Sequence, residues 1–378
     1  MKILLVTHYY STHAGGIEIV AGILADRLSA QHQIIWVASD CDPIPDGLPE
    51  SVSTLPMRTL NTIERRTGLP FPIWGLRSLI RLWREVKRAD LVHLHDVAYA
   101  GNWTAFAFAK AHRTPVVVTQ HVGFIPFTSP VLRFALRAMH ITIGRLILGG
   151  ADQVIFISPV VRDYYSRFVR FGRPPLVVSN GVDTNTFVPP RAGDRARARA
   201  ALRVDAAGPT MLFVGRFVEK KGLHVLEALA RRMPDLTWMF AGWGPIDPER
   251  WDLPNVHVFR DRRGGGLVPL YHAADLLVLP SVGEGLPLVV QEAMSCGTPA
   301  LVGEDTGEAV GAPDTVFAAR VGGDLTTDVW EAELRRLLSE LARRPELSQR
   351  ASEFARRRWS WTACAQSYET LFRALARR

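Results

Sequence analysis

Cysteine is scarce in this 378-residue sequence, and its three positions, Cys41, Cys296 and Cys364, are odd in number and widely separated. That excludes a disulfide framework and a cysteine metal site, and it suits a reducing compartment. Long apolar runs are missing too, since none reaches the ~18–20 residues of a membrane-spanning helix. The opening MKILLVTHYY has only a few apolar residues before Thr7 and His8. That is too short for a signal peptide, so it reads as a first β-strand and the expected location is the cytoplasm. No helix-turn-helix, zinc or RNA-stacking motif occurs, which argues against nucleic acid as a partner.

What is present is the composition of a folded globular protein, 47% apolar and 22% charged, with enough apolar surface to bury throughout. The length suits two domains of ~150–200 residues each. The formal charge of +8 is unevenly placed. Residues 1–180 hold 19 Lys or Arg against 12 Asp or Glu, while residues 181–378 hold 26 against 25. A basic first half implies an anionic partner there, such as a phospholipid surface or a phosphorylated acceptor. Residues 58–88 carry eight Lys or Arg and only two Glu, interleaved with Leu69, Leu76, Ile80 and Trp83. Arg77, Arg81, Arg84 and Arg88 recur at helical spacing and share a face. The stretch FIPFTSPVLRFALRAMHITIGRLIL at 124–148 repeats the mixture. Both suit either a domain-covering helix with arginines toward solvent or a helix lying on an anionic membrane.

Short apolar runs alternate with helical stretches through the first half: ILLV at 3–6, a helix from Ile17 to Leu28, QIIWVAS at 33–39, LVHLH at 91–95, a helix near 102–112, PVVVTQH at 115–121 and QVIFIS at 153–158. The rhythm restarts with TMLFVG at 210–215, a helix from Leu223 to Arg232, LTWMFAG at 236–242, NVHVF at 255–259, DLLVLPS at 275–281 and PALVG at 299–303. Strands rich in β-branched residues and separated by helices predict two doubly wound, Rossmann-like α/β domains. The expected bounds are 1–180 for the first domain and 181–359 for the second. A hinge is placed in the Pro- and Arg-rich stretch at roughly 180–195. The closing helix, about 360–378, is expected to return to the first domain and cover its tryptophans.

In open parallel sheets ligands bind beyond the carboxyl ends of the strands, and the chemistry-bearing motifs fall there. GEGLPLVVQEAMSCGTPAL at 283–301 follows a strand with a glycine turn, Glu284, a helix carrying Glu292, and another strand. N–H groups at Gly285, Leu286 and Leu288, either side of Pro287, would point at an anion above the helix start. The eight-residue spacing would put Glu284 and Glu292 on one side of that start, where both can accept hydrogen bonds from sugar hydroxyls. Taken alone, the pair could equally be a dipole-matched first-turn acid and a solvated helix residue. In VGRFVEKKGLHVLEAL at 214–229 a strand ends at Gly215-Arg216, and Lys221-Gly222 opens the next helix. A planar Arg fork and a mobile Lys charge match two linked phosphates. In the first half, Gly15-Gly16 lies between strand and helix, where backbone can approach a phosphate or acceptor closely. His121 directly follows a strand, and Asn180-Gly181 is a turn in SNGVDTNTF.

The Glu284 to Glu292 arrangement resembles the E-x7-E signature of retaining glycosyltransferases of the large sucrose-synthase-like family, the fourth family in the usual classification. The Gly215-Arg216 to Lys221-Gly222 pattern, the Gly-Gly loop at 15–16 and the Asn-Gly-Val-Asp element at 180–183 resemble that family as well. The resemblance implies the GT-B fold, two Rossmann-like domains facing across a cleft, 1–180 binding the acceptor and 181–359 the nucleotide sugar, and transfer of a hexose from a UDP- or GDP-linked sugar with retention and without a metal. It implies Arg216 and Lys221 on the diphosphate, His121 close to the transferred sugar, Gly15 and Gly16 near the donor, and Asn180 as a further contact. The donor-binding set is completed by Gly285, Leu286, Pro287, Leu288 and Glu292, with Glu284 holding sugar hydroxyls. A lipid-linked saccharide is the expected acceptor, in polysaccharide or glycolipid assembly. GEDTGEAVGAPD at 303–314 departs from the family's Gly-Gly loop at that point. A sugar-nucleotide epimerase of the same architecture and a non-catalytic nucleotide-sugar-binding protein are the rival readings.

Overall fold

The computed structural model of the protein describes residues 1–13, 15–62, 71–123, 129–204, 208–311, 318–321, 326–343 and 346–376. Leu69, the start of the 124–148 stretch and the end of the 303–314 loop lie outside the described residues. The chain divides into two compact units, 1–179 with 362–378, and 180–361.

The first unit is built on a seven-stranded sheet ordered β3-β2-β1-β6-β7-β8-β9. Its strands are β1 (Lys2–Val6), β2 (Gln33–Ser39), β3 (Val52–Met57), β6 (Leu91–His95), β7 (Val116–Gln120), β8 (Gln153–Phe156) and β9 (Leu176–Val177), with a small β4–β5 ribbon (Thr59–Leu60, Ile73–Trp74) beside it. All pairings in the large sheet are parallel. Every residue of β6 and β7 is buried, as strands covered on both faces must be. One face presents Leu4, Val6, Val92, Leu94, Val116 and Val118 to a core shared with Leu82, Val86, Ala105 and Phe106 of the covering helices. On the other, the C-terminal helix Trp361–Ala376 sets Tyr368 and Phe372 against His93. Tyr368 shares a 3.1 Å hydroxyl hydrogen bond with Thr119, and Glu369 pairs with His32.

The second unit repeats the plan with a six-stranded parallel sheet ordered β12-β11-β10-β13-β14-β15. The strands are β10 (Thr210–Arg216), β11 (Thr237–Trp243), β12 (Val256–Phe259), β13 (Leu276–Leu279), β14 (Ala300–Gly303) and β15 (Ala318–Val321). The Arg-rich stretch expected to hold the hinge belongs to this unit. Its helix Asp194–Leu202 buries Arg199, whose Nε–H donates to the Ala273 carbonyl at 2.9 Å and whose Nη2 donates to Asp275 at 2.7 Å. Asp275 also accepts the Thr210 N–H at 2.8 Å, so one carboxylate ties the segment to the sheet. The tryptophans of the last segment are covered here and not by the first sheet. Trp361 lies on Gly181, where an added Cβ would come within 2.5 Å of the indole. Val182 pairs with Ser360 and donates to the Trp359 carbonyl at 3.0 Å. The two passages of the chain out of this unit are therefore stitched side by side.

Candidate functional site

Each sheet reverses strand order once, between β1 and β6 in the first and between β10 and β13 in the second. These are the switch points at which loops diverge and leave room for a ligand.

In the second unit, β10 ends at Arg216 and β13 runs into the loop that carries Glu284. Lys221 Nζ lies 2.8 Å from Glu284 Oε1, with Lys220 at 3.9 Å. Burial pushes Glu284 upward, but the two lysine charges outweigh it and hold the carboxyl below its ordinary value. Lys221 reaches this position because Gly222, at φ +72, turns the chain against the Pro280 carbonyl, a close approach in left-handed backbone that only glycine makes cheaply. The Arg216 guanidinium lies over the Trp243 ring at 4.9 Å, and its Nε is buried without a partner among the described residues. Gly242 and Gly244 flank that tryptophan, and a Cβ on either would strike the Gly215 or Phe217 carbonyl. The close packing of the two strand ends thus holds Trp243 under the guanidinium.

The helix that follows runs Leu288–Ser295 with Pro287 as its N-cap and no side-chain cap. Glu284 therefore lies in the glycine turn ahead of the helix, and the interval to Glu292 is helical only from Leu288 on, not the two turns that the eight-residue spacing suggests. The reason is Pro287, which disfavours helical backbone at Leu286. The N–H groups of Gly285, Leu286 and Leu288 have no hydrogen-bond partner among the described residues, which leaves donors at the helix start for an anion. Glu292, in the middle of the helix, is partly buried and accepts a 2.7 Å hydrogen bond from Tyr271 Oη. Burial pushes its carboxyl up to about 7. It is not a solvated helix residue. Its neighbour Gln291 donates to the Asn180 carbonyl at 2.7 Å, so the buried Asn180 is engaged through its backbone. The departing loop after β14 is simply a helix, Glu304–Val310, that begins at the strand end.

In the first unit, His121 leaves β7 beside His95 at the end of β6, with His95 Nδ1 and His121 Nε2 3.0 Å apart. Both rings are buried, and burial first, then neighbouring imidazoles, drives His95 well below its ordinary value, while burial lowers His121 to about 3. At the end of β1, His8 Nε2 meets Glu18 Oε1 at 2.7 Å, and the His8 ring stacks on Tyr99 at 3.6 Å. Gly15 makes room for this pair. A Cβ there would collide with the Glu18 carboxylate, so its role in the structure is to seat a side chain, whereas Gly16 faces open space. No motif in the sequence singles out His8, Glu18, His95 or Tyr271. Glu18 had a signal: it shares the helix stripe of Ala21 and Ala25, both buried, where an acid has no reason to be unless it is paired.

The Asp40-Cys41-Asp42 triplet after β2 uses its carboxylates within the fold. Asp40 Oδ1 accepts the Thr59 N–H at 3.0 Å and Asp42 meets His13 at 2.8 Å. Among the described residues no group of three or more His, Cys, Asp or Glu could hold a metal ion.

Two family models match the chain, Glycosyltransferase Family 4 over residues 14–186 and Glycosyl transferases group 1 over residues 208–339. The chain belongs to this family of GT-B glycosyltransferases. D-inositol 3-phosphate glycosyltransferase of Mycobacterium sp. (strain KMS) is 36% identical over 176 residues, 43% of this chain and 39% of that protein. Alpha-maltose-1-phosphate synthase of Mycolicibacterium smegmatis is 29% identical over 330 residues, 80% of this chain and 83% of that protein. The match thus spans only 39% of the length of the first of these relatives. Among solved structures, sucrose-phosphate synthase from Thermosynechococcus elongatus has the same fold, with a TM-score of 0.80 at 22% identity over 99% of both chains. HepE of Anabaena, solved with UDP and glucose, gives 0.74 at 18% identity over 98% of this chain and 99% of its own.

Proposed function

We propose that the protein transfers a hexose from a UDP- or GDP-linked sugar to an acceptor hydroxyl, with retention. The observation that carries this is the charge set at the switch point of the second sheet. Arg216, Lys220 and Lys221 against the ionised Glu284 leave two positive charges, the complement of a diphosphate. Arg216 and Lys221 bind that diphosphate together with the N–H groups of Gly285, Leu286 and Leu288, and stabilise it as it leaves. Glu284 passes from Lys221 to the sugar hydroxyls, Glu292 accepts from the ribose, and His121 faces the transferred sugar. The leaving phosphate itself takes the acceptor proton, so the reaction proceeds without a metal. Arg216 and Lys221 also bind substrate in an epimerase, but two carboxylates bracketing the helix start favour transfer over that rival.

The acceptor we propose is a lipid-linked saccharide reached from an anionic membrane surface. The helix Pro130–Met139 has no buried residue and exposes Val131 and Phe134 beside Arg133 and Arg137. On helix Leu76–Arg88, Leu76 and Ile80 are exposed next to Arg77, Arg81 and Arg84. Among the described residues no helix is long and apolar enough to cross a membrane, so such contact would be peripheral. The test is a thermal-shift panel of UDP-glucose, UDP-N-acetylglucosamine and GDP-mannose, with and without EDTA. One donor should raise the melting temperature in EDTA as well as without it, because binding to the folded state adds to stability. No shift from any of them refutes the reading.

A further inference from the structure

We propose that His95 is a positioning residue that fixes the tautomer of His121, so that His121 meets the substrate as a hydrogen-bond donor and not as a base. This rests on the reading that His121 faces the transferred sugar. Both rings are buried and belong to strands that lie side by side, β6 and β7. They share one hydrogen bond, His95 Nδ1 to His121 Nε2 at 3.0 Å, while His95 Nε2 is buried with no partner among the described residues.

With both imidazoles neutral, two arrangements are open. If His121 Nε2–H donates to His95 Nδ1, the one proton of His95 must sit on Nε2, as a buried N–H with no acceptor. If His95 Nδ1–H donates instead, Nε2 is left as a bare lone pair. An orphaned buried donor carries the full desolvation penalty and is the rarer defect, whereas an under-used acceptor is tolerated. The second arrangement wins. It fills the only lone pair of His121 and puts that ring's proton on Nδ1, where it can donate to a hydroxyl or a developing oxyanion.

The backbone around His95 is built to hold this geometry. Asp96 sits at φ +70, a left-handed turn that Asp tolerates and that its own Oδ1 fixes by accepting the Ala98 N–H at 3.0 Å. Asn102 Nδ2 donates to the His95 and Asp96 carbonyls at 2.6 and 2.7 Å. Gln120, just before His121, donates from Nε2 to Asp96 Oδ2 at 3.0 Å. The two strand exits are therefore cross-tied twice, His95 to His121 by one bond and Asp96 to Gln120 by another.

The experiment is long-range proton–nitrogen NMR of the full-length protein labelled with 15N-histidine, with His121 assigned by its loss in His121→Asn. The expected spectrum has a pyrrole-type Nδ1 and a pyridine-type Nε2 on His121; the reverse pattern overturns the inference. His95→Asn keeps an N–H near the Nδ1 position and should keep the tautomer. His95→Leu removes it, should release the second tautomer, and should lower kcat for hydrolysis of the accepted sugar nucleotide roughly tenfold, the worth of one buried hydrogen bond, with KM little changed. If His95→Leu does not fold, the wild-type spectrum still decides. Wild-type hydrolysis by His121→Asn would refute the underlying reading of His121. An impaired His121→Asn beside a His95→Leu protein of unchanged tautomer would refute the role of His95 alone.

Discussion

The two switch points make an instructive pair, because the same topology is filled with opposite electrostatics. In the second unit the strand ends gather full charges, Arg216, Lys220, Lys221 and Glu284, partly open to solvent. In the first they gather His95 and His121, which burial keeps neutral, and His8 meets Glu18 beside them. A cationic group suits a diphosphate, which must be held strongly and then released as an anion. Neutral, shape-locked hydrogen bonding suits hydroxyl groups, where an extra charge would cost desolvation without a partner.

The largest effect should come from removing the charge with the fewest internal obligations. Arg216 rests on Trp243 and its Nε has no partner among the described residues, so Arg216→Ala should leave the fold intact. Turnover should fall by about 10²–10³, the scale of losing one donor aimed at developing charge. Thermal melts and sugar-nucleotide hydrolysis measured on one preparation check both halves. Wild-type turnover would remove the diphosphate role, and with it the contrast between the two sites.

The charged site was far more legible in the sequence than the neutral one. Arg216, Lys221 and Glu284 stand at strand ends with glycines beside them, each inside a motif readable on its own, and the pairing of β10 with β13 brings the two motifs to one switch point. Spacing alone suggests two helical turns between Glu284 and Glu292, whereas Pro287 starts the helix at Leu288 and leaves half of that interval in the turn. The first site depends on side-chain pairings, His8 with Glu18 and His95 with His121, that no glycine-flanked motif marks. Alternation along β6 puts His93 and His95 on one face, but nothing local says which partner each ring meets. The sheets followed from the apolar runs, while short edge strands such as β9, without a clear pattern, did not.

Glu18 and Glu292 sharpen the comparison because they respond to pH with opposite signs. Burial pushes Glu18 up, but its bonds to His8 outweigh that and hold it below its ordinary value. Its contribution is present above the unfolded-state value and fades as the pH falls through the folded one. Glu18→Ala should therefore cost about 1–3 kcal/mol near neutrality and progressively less in acid. Glu292 is raised to about 7, so it stays protonated in the folded protein where the unfolded chain has already lost its proton. Stability falls as the pH rises from the ordinary carboxylate value to the raised one. Glu292→Gln should gain on the order of 1–2 kcal/mol at about pH 8 and nothing in acid, while weakening donor binding. Denaturant titrations across pH measure both, and a gain for both variants at about pH 8 would erase the distinction.

The smallest effect on the fold, and a separate test of the basic first unit, comes from its surface. Val131 is 74% exposed and Phe134 75% exposed, so replacing both by Asp removes no core contact and should move stability by less than about 0.5 kcal/mol. On an anionic bilayer the same change takes two apolar anchors out of the interface and sets carboxylates beside Arg133 and Arg137, opposing their attraction to the lipid. Sedimentation with phosphatidylglycerol vesicles should show binding reduced by about tenfold or more in the variant. The wild type should bind phosphatidylcholine vesicles poorly and lose anionic vesicles as salt rises. Equal pelleting of wild type and variant would mean that this helix does not lie on the membrane, and the excess positive charge of the first unit would then have to be explained by a phosphorylated acceptor in solution.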